Sequence, residues 1–176
     1  MRPITEISMS DHANFNLVFV CTGNTCRSPM AAVIAERSVL RRGWEGVDVR
    51  SVGLSAFAGG AASDGARVAA ESRGLDLDTH SSAPLDTELV TWATLVLTMG
   101  PQHADAAEAL GGQGKVFMLS AFSDGGEETR GPGVPDPFGG DAQTYLECFD
   151  ALDVLVEAAL DRVEAEFFSL NKEDTQ

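Results

Sequence analysis

Short apolar runs alternate with amphipathic segments along most of the chain. The apolar runs predict four β-strands, over residues 17–20, 47–52, 95–97 and 116–119. The amphipathic segments predict helices over residues 29–41, 62–73, 85–91 and 102–110. A glycine- and proline-rich loop at 123–140 then leads into a long closing helix. Strands that alternate with helices predict an α/β fold, a single three-layer domain in which a four-stranded parallel sheet carries helices on both faces.

The length of 176 residues fits one such domain. We assign residues 15–170 to it, the polar residues 1–14 to a flexible N-terminal extension and residues 171–176 to a frayed C-terminus. No apolar run approaches the roughly 20 residues that span a bilayer, and the extension lacks the apolar stretch of a signal peptide. We therefore expect a cytoplasmic protein, because a reactive thiol stays reduced in that compartment, and we expect a monomer.

Acidic residues outnumber basic ones along the chain. There are 27 Asp and Glu against 12 Lys and Arg, a formal net charge of −15. A field of this sign argues against nucleic acids and anionic membranes as partners. It favours an acidic surface that keeps the protein in solution, and any anion site has to rely on donors close to the ligand.

One segment carries most of the chemical information, the sequence Cys-Thr-Gly-Asn-Thr-Cys-Arg-Ser at residues 21–28. It follows the first predicted strand, at the end of the sheet where such folds bind ligands. The short residues at 22–25 let successive backbone N–H groups turn toward one centre and form an anion-binding nest. Arg27 adds a planar fork of donors for two phosphoryl oxygens. Ser28 and Pro29 predict an N-cap and a first helical residue, which direct a helix N-terminus at the same centre.

These donors favour the thiolate form of Cys21, which is therefore predicted to be a nucleophile beneath a phosphate site. The other candidate binding residues of the loop are Thr22, Gly23, Asn24, Thr25, Cys26 and Ser28. A zinc site fits less well, because it requires closer ligand spacing and a second pair of ligands. A nucleotide-binding Walker loop would end in Gly-Lys-Ser/Thr. We expect neither a metal nor a cofactor.

The loop at 21–28 and the later sequence Asp136-Pro137-Phe138 resemble the two motifs of the low-molecular-weight protein tyrosine phosphatase family. The resemblance extends from about residue 16 to residue 168. It implies a protein phosphatase that acts on phosphorylated proteins through a phosphocysteine intermediate. In that family the first motif carries the nucleophile, here Cys21 with Arg27 as the phosphate ligand, and the second carries the general acid, here Asp136.

The surroundings of Asp136 also suit an acid. The reaction needs a group that protonates the leaving atom and later takes a proton from the attacking water. Asp136 lies in a loop long enough to fold over the site, and Pro137 stiffens the backbone beside it. A plain Pro-Asp-Pro turn is the alternative interpretation. Asp124 and Asp141 are weaker substitutes, because neither has the local pattern.

Asn24 tolerates the left-handed backbone conformation that a tight anion loop often demands. The family resemblance implies that Asn24 is held by Ser51 and His80, with Ser28 as a further partner. Two plainer interpretations stay open: Ser51 as a strand-end cap and His80 as a structural histidine.

Cys26 also has two interpretations. It is either a small residue packed behind the loop or a resolving thiol that forms a disulfide with Cys21 under oxidation and protects it from over-oxidation. Both can hold together. Cys148 lies within the last predicted helix and is expected to be part of the core.

Thr25 bears on the substrate. Family members that act on phosphotyrosine often carry an apolar residue at this position, whereas the bacterial protein arginine phosphatases are similar to this chain in Cys-Thr-Gly-Asn-Thr-Cys-Arg and Asp-Pro-Phe-Gly-Gly. A hydroxyl accepts a hydrogen bond from a guanidinium N–H, a donor that a phenol ring lacks. Threonine is also a near-isostere of valine and a plain spacer. Phe138, with Leu54 or Phe57, is predicted to form a pocket wall that suits a phenyl ring or an arginine stem, so phosphoarginine is modestly favoured over phosphotyrosine.

Two other functions are less consistent with the sequence. A thioredoxin-linked arsenate reductase has a similar loop but requires further cysteines near the middle of the chain, and here no cysteine lies between Cys26 and Cys148. A non-catalytic phosphate-binding module would be favoured if Cys21, Arg27 or Asp136 were missing, and all three are present.

Overall fold

The computed structural model of the protein describes residues 14–168, which form four strands and six helices. All but the last residue of the predicted N-terminal extension, and the whole predicted frayed C-terminus, lie outside these residues and stay predictions. The strands are β1 (Phe15–Cys21), β2 (Val47–Gly53), β3 (Leu95–Thr98) and β4 (Val116–Met118). The helices are α1 (Arg27–Arg42), α2 (Asp64–Glu71), α3 (Thr87–Trp92), α4 (Pro101–Ala107), α5 (Leu119–Ser123) and α6 (Ala142–Val163). Single π-helical turns extend α4 over Glu108–Gly112 and α6 over Glu164–Phe168.

The four strands form one parallel sheet in the order β2-β1-β3-β4. In this register Leu17 of the central strand β1 lies opposite Val49 on one side and Leu95 on the other. The chain forms β2 on one side of β1 and then crosses to the other side to form β3. A parallel sheet of this kind has its ligand crevice at the carboxyl ends of the two strands where the winding reverses, here β1 and β3.

Apolar side chains that alternate along β1 separate the two faces of the sheet. Phe15, Leu17 and Phe19 face one buried cluster, which contains residues of α1, α2, α5 and α6. Val18 and Val20 face a second, smaller cluster with α4, against which side chains of α3 pack. The predicted three-layer α/β fold is therefore confirmed, and the helices that follow β1 and β3 lie on opposite faces.

The structure differs from the predicted elements around the fourth strand. Leu119 was assigned to that strand, but the strand ends at Met118 and Leu119 begins α5, which the sequence pattern did not predict. The reason is packing: Leu119 and Phe122 are fully buried in the α1–α6 layer, and their three-residue spacing is hidden behind the preceding apolar run.

A network of ion pairs joins α1 to α6. Glu157 of α6 pairs with three arginines of α1, Arg37, Arg41 and Arg42, and Arg42 also pairs with Asp161 at 2.6 Å. Several charges that share partners hold a fixed geometry better than isolated surface pairs do. The network therefore helps to fix α1, which begins at the candidate phosphate loop, against α6.

Within residues 14–168, none of the helices combines the length and the apolar character needed to cross a membrane.

Candidate active site

Cys21 is the last residue of β1 and is buried. Its Sγ lies 2.9 Å from the Ser28 Oγ, which accepts a hydrogen bond from the Asn24 Nδ2 at 2.8 Å and lies 3.2 Å from the Val52 carbonyl oxygen. A hydroxyl has a single proton, so Ser28 donates either to Val52 or to the sulfur. When Cys21 is a thiolate, the stronger acceptor is the charged sulfur, and donation from Ser28 stabilises that form.

The prediction that Ser28 is an N-cap and Pro29 the first helical residue is wrong. The helix α1 begins at Arg27, and Cys26 occupies the N-cap position without a side-chain capping bond. Ser28 lies inside the first turn because its hydroxyl is engaged by the loop. The helix N-terminus still begins at the loop, as expected, and adds the positive end of the helix dipole there.

Asn24 is the buried support of the loop. Its φ of 54° confirms the expected left-handed conformation, and its side chain is fully buried. The side-chain amide donates to the Ser28 Oγ and to the Ser51 Oγ at 2.9 Å, and its oxygen accepts from the Ala83 N–H at 2.9 Å. The Asn24 carbonyl accepts from the His80 Nε2 at 2.7 Å. The structure thus brings Ser51 and His80 onto Asn24, in the arrangement that the family resemblance implies.

Gly53, at the end of β2, is a site residue that the sequence pattern did not single out. A Cβ atom at this position would lie 2.6 Å from the Thr22 carbonyl oxygen and 2.7 Å from the Asn24 nitrogen. Because no side chain fits there, β2 can approach the loop closely enough for Leu54 to donate its N–H to the Cys21 carbonyl at 2.9 Å. The available signal was a glycine at the end of a predicted strand.

The guanidinium of Arg27 is buried and contacts the segment that contains Asp136. Its Nη1 donates to the Val134 carbonyl at 2.9 Å, and its Nη2 pairs with the Asp136 carboxylate at 3.2 Å. Its Nε is buried and has no hydrogen-bond partner among the described residues. Within residues 14–168, the backbone N–H groups of residues 23–26 donate to no backbone carbonyl. A buried guanidinium donor without an acceptor is rare, and next to loop N–H groups that make no backbone hydrogen bond it is typical of a site that binds an oxyanion.

Asp136 is positioned by the backbone of its loop. Just before it, the Val134 N–H donates to the Met99 carbonyl at 2.8 Å, where β3 ends, and Gly133 packs so closely there that a Cβ atom would lie 2.2 Å from the same oxygen. The Asp136 carboxylate accepts the Phe138 N–H at 3.2 Å and is about half exposed. The carboxylate therefore faces the phosphate donors and remains accessible to a leaving group.

The alternative acids are engaged elsewhere. Asp141 is the N-cap of α6, and the hydrogen bonds from the Thr144 N–H and hydroxyl lower its pKa. Asp124 lies in the turn after α5. Neither contributes to the loop, which leaves Asp136 as the candidate acid.

Cys26 has polar rather than purely apolar surroundings. Its Sγ lies 3.2 Å from the Ser63 Oγ and 3.5 Å from the Tyr145 hydroxyl. Burial and the hydrogen bond with Cys26 raise the pKa of Tyr145. Cys21 and Cys26 are both free thiols in the structure. Ser63 and Tyr145, far apart in sequence, were not predicted as neighbours of the loop.

Thr25 and the three predicted wall residues differ in their hydrogen bonds and in their exposure. The Thr25 carbonyl accepts the Ser63 N–H at 2.8 Å, and its hydroxyl lies 3.7 Å from the Cys26 Sγ, a weak contact. Leu54 lies directly beside Cys21 through its backbone hydrogen bond. Phe138 and Phe57 expose 77% and 89% of their surface, so both rings are free to contact a substrate. Of the three, only Leu54 is tied to the loop by a hydrogen bond.

His103, in the first turn of α4, is a further neighbour of the loop that the sequence pattern did not single out. Its ring is fully buried, and its Nε2 lies 2.9 Å from the Thr22 Oγ1. Burial lowers its pKa to about 4, with a further contribution from the positive charge of Arg27 and an opposing one from Asp136. The imidazole is therefore neutral at physiological pH. The available signal was a histidine in the first turn of the helix that follows the third strand.

Two further observations bound the site. Among residues 14–168, no three His, Cys, Asp or Glu side chains come close enough together to hold a metal ion. A cleft of about 440 Å³ is lined by Ser51 and His80 but not by Cys21 or Arg27, so it lies behind the loop and not at its mouth. The Cys21 centre is instead a shallow cradle of backbone and guanidinium donors.

Comparison with known proteins agrees with this geometry. The sequence model of the family described as low molecular weight phosphotyrosine protein phosphatase matches residues 16–169. The chain is 37% identical over 157 residues to a protein-arginine-phosphatase of Geobacillus stearothermophilus, covering 86% of this chain and 98% of that protein. It is 38% identical over 143 residues to a protein-arginine-phosphatase of Bacillus subtilis strain 168, covering 80% and 91%.

Solved structures lead to the same family. A mutant of the YwlE arginine phosphatase with a phosphorylated active site serine superposes with a TM-score of 0.79 at 36% identity, covering 87% of this chain and 98% of that chain. The chain belongs to the low-molecular-weight phosphotyrosine protein phosphatase family, and the resemblance inferred from its two motifs is confirmed.

The hydrogen bonds of Asn24 generate a stability prediction. Asn24→Ala should lower the free energy of unfolding by about 2–4 kcal/mol, because it leaves buried partners unsatisfied and removes a residue that tolerates positive φ. Ser51→Ala removes a single partner and should lower it by about 1 kcal/mol. Urea unfolding followed by circular dichroism measures both. Equal losses in the two variants would contradict the central role of Asn24.

Proposed function

We propose that the protein is a cysteine-dependent protein phosphatase that hydrolyses phosphorylated side chains of proteins through a phosphocysteine intermediate. The observation that carries this proposal is a buried cysteine at the foot of a loop that also contains Arg27. The Nε of Arg27 has no hydrogen-bond partner within residues 14–168, and its Nη2 pairs with the half-exposed carboxylate of Asp136. Membership in the phosphatase family supports the same assignment.

In the first step, the phosphoryl oxygens lie on the backbone N–H groups of the loop and on Arg27. The Cys21 thiolate attacks phosphorus, a sulfur–phosphorus bond forms, and the bond to the leaving nitrogen or oxygen breaks. Asp136 in its acid form donates a proton to that leaving atom. The products of this step are the dephosphorylated side chain and a phosphocysteine.

In the second step, water attacks the phosphorus of the phosphocysteine. The Asp136 carboxylate takes a proton from this water, the sulfur–phosphorus bond breaks, and inorganic phosphate leaves. The Cys21 thiolate is restored, and the Ser28 hydroxyl, 2.9 Å away, donates to it. A thiolate stabilised in this way is a better leaving group, so the same hydrogen bond serves both steps.

The ion pair between Arg27 and Asp136 connects binding with acid catalysis. A phosphoryl group on the loop competes with the Asp136 carboxylate for the Nη2 donor of Arg27. When the phosphoryl group takes that donor, Asp136 is released toward the leaving atom. Its backbone anchor at Val134 stays in place, because Val134 is held by Met99 and by the Nη1 of Arg27.

Among phosphorylated side chains, we infer that phosphoarginine is favoured over phosphotyrosine. The protein-arginine-phosphatases named above are relatives over most of this chain. The Thr25 hydroxyl makes only a weak contact with Cys26, so it is available to accept a guanidinium N–H. The exposed ring of Phe138 offers an apolar surface for the arginine stem.

We also propose that Cys26 resolves an oxidised Cys21: after a peroxide has converted Cys21 to a sulfenic acid, the Cys26 sulfur attacks the Cys21 sulfur, a disulfide forms and the sulfenic oxygen leaves as water. The two residues belong to the same loop at 21–28, and the Cys26 sulfur lies beside the Ser63 and Tyr145 hydroxyls.

The proposed activity is tested first at the nucleophile. Cys21→Ser should abolish hydrolysis of phosphopeptides, because an alcohol is a far poorer nucleophile than a thiolate, while inorganic phosphate still binds. Cys148→Ser is the matched control: burial raises the pKa of Cys148 to about 12, so it stays protonated. The control should retain activity within about threefold. Substantial turnover by a clean preparation of Cys21→Ser would exclude the phosphocysteine mechanism.

The assignment of the acid is tested with leaving groups of different acidity. Asp136→Asn should lower kcat by about 10²–10⁴-fold for phosphotyrosine peptides, because the leaving group is no longer protonated. The loss should shrink for aryl phosphates with acidic phenols, which need less protonation. Asp141→Asn should have little effect, since asparagine caps a helix as well as aspartate does. An equal loss across all leaving groups would indicate loop disruption instead.

Substrate preference is tested at Thr25 with two peptides that differ only in the phosphorylated residue. Thr25→Val keeps the shape and removes the acceptor, so kcat/KM for the phosphoarginine peptide should fall by about tenfold or more, while that for the phosphotyrosine peptide should hardly change. The wild-type protein should prefer phosphoarginine. A wild-type preference for phosphotyrosine with an unchanged ratio in the variant would leave Thr25 as a spacer.

A further inference from the structure

His103 reaches the phosphate loop because β1 and β3 are neighbours. Thr22 directly follows β1, and α4 begins three residues after the end of β3, with Gly100 as its N-cap. The Met99 N–H donates to the Val20 carbonyl at 3.0 Å, which keeps the two strand ends together. The first turn of α4 therefore lies beside the first residue of the loop, and the His103 ring is buried between them.

The contact between His103 and Thr22 joins a fully buried side chain to an exposed one. Thr22 is exposed at the mouth of the loop, next to the nucleophile, while His103 has no accessible surface. The Nε2 atom of the ring lies 2.9 Å from the Thr22 Oγ1, and its Nδ1 atom is buried without a hydrogen-bond partner among the described residues. The Gln102 side-chain nitrogen lies 3.5 Å from Nε2. It is a donor, and this distance is too long to decide which ring nitrogen carries the proton.

Hydrogen-bond satisfaction decides which nitrogen carries the proton. A neutral imidazole has one donor and one acceptor. If Nδ1 carried the proton, a buried N–H would remain unpaired, which proteins avoid more strictly than an unpaired acceptor. The proton is therefore on Nε2, and His103 donates to the Thr22 oxygen. The Thr22 hydroxyl then keeps its own proton for another acceptor.

Burial and the nearby charges together favour the neutral form of the His103 ring. The guanidinium of Arg27 opposes a second positive charge beside it, and the Asp136 carboxylate favours one more weakly. Burial lowers the pKa of the ring most, and Arg27 and Asp136 are the two charged groups that also shift it. A neutral donor orients Thr22 without competing with Arg27 for the phosphoryl group or for Asp136.

We propose that His103 is a positioning residue of the phosphatase site: its Nε2–H fixes the Thr22 hydroxyl so that this hydroxyl donates a hydrogen bond to the bound phosphoryl group. The inference rests on the function proposed above. It adds two residues, His103 and Thr22, to the nucleophile, the arginine and the acid. The donor set of the cradle then comprises the loop N–H groups, Arg27 and one hydroxyl, each held by a buried partner.

The experiment uses two polar replacements that differ in reach. In His103→Gln the side-chain amide nitrogen takes the place of Nε2 and reaches Thr22, whereas in His103→Asn it takes the place of Nδ1 and does not. The probe is inorganic phosphate, whose Kd is measured by calorimetry for each variant, together with kcat and KM on one phosphopeptide. We expect His103→Asn to weaken phosphate binding by about fivefold to tenfold, the value of one hydrogen bond, and His103→Gln by less than about twofold.

A double-mutant cycle with Thr22→Val shows whether His103 acts through Thr22. Thr22→Val alone should weaken phosphate binding by the same factor as His103→Asn, and the double variant should lose no more than either. Urea unfolding of all variants separates this pattern from a stability effect, because a purely structural histidine would affect the Gln and Asn variants alike.

Equal phosphate affinities in the Gln and Asn variants, or additive losses in the double variant, would overturn the role of His103. Phosphate binding does not require turnover, so the cycle reports on His103 even if phosphopeptide hydrolysis fails. Failure of hydrolysis in the wild type would overturn the proposed function instead, and the two outcomes are distinguishable.

Discussion

The buried hydrogen bonds of Asn24 are the constraint on which the rest of the site depends. A loop whose N–H groups turn toward an anion cannot pair them with its own backbone, so it needs support from outside. Asn24 supplies that support with four bonds, to Ser28, Ser51, Ala83 and His80. Three of these partners come from β2 and the segment that precedes α3, so the loop conformation is tied to the sheet and not only to the loop's own residues.

The order of the strands explains why the remaining groups converge on the loop. Because β1 lies between β2 and β3, the ends of both neighbours lie beside Cys21. The end of β2 brings Gly53 and Leu54, and the end of β3 brings Met99, which anchors the acid loop through Val134. The turn into α4 brings His103. Nucleophile, acid and supporting groups are thus collected at one edge by parallel pairing alone.

Local donors allow an anion site in a protein of strongly negative charge. The formal net charge of −15 opposes a phosphorylated substrate at long range. Exposed charges are screened within about 8–10 Å in physiological salt, whereas buried donors at hydrogen-bond distance are screened much less. Arg27, nearly fully buried, and the N–H groups of the loop therefore determine binding at the centre.

The sequence by itself determined the fold class, the family, the loop at 21–28 and the candidate acid. These follow from signals that are local: alternation of apolar runs, the spacing between Cys21 and Arg27, and a short motif around Asp136. Secondary-structure periodicity and the residue pattern of an anion-binding loop involve neighbours in the chain, so they can be recognised without a distant partner.

Beyond the partners of Asn24 that the family resemblance implied, only the tertiary structure showed which residues contact the loop. Thr22 and His103 are 81 positions apart, Cys26 and Tyr145 are 119 apart, and neither pair has a sequence signal that names the other. The prediction of Ser28 as a helix cap was wrong because its hydroxyl is engaged by Cys21 and Asn24 of the loop and by the Val52 carbonyl of the neighbouring strand. Buried polar groups must be satisfied by whatever packing brings near them, and that packing is set by strand order and helix placement, which no short stretch of sequence encodes.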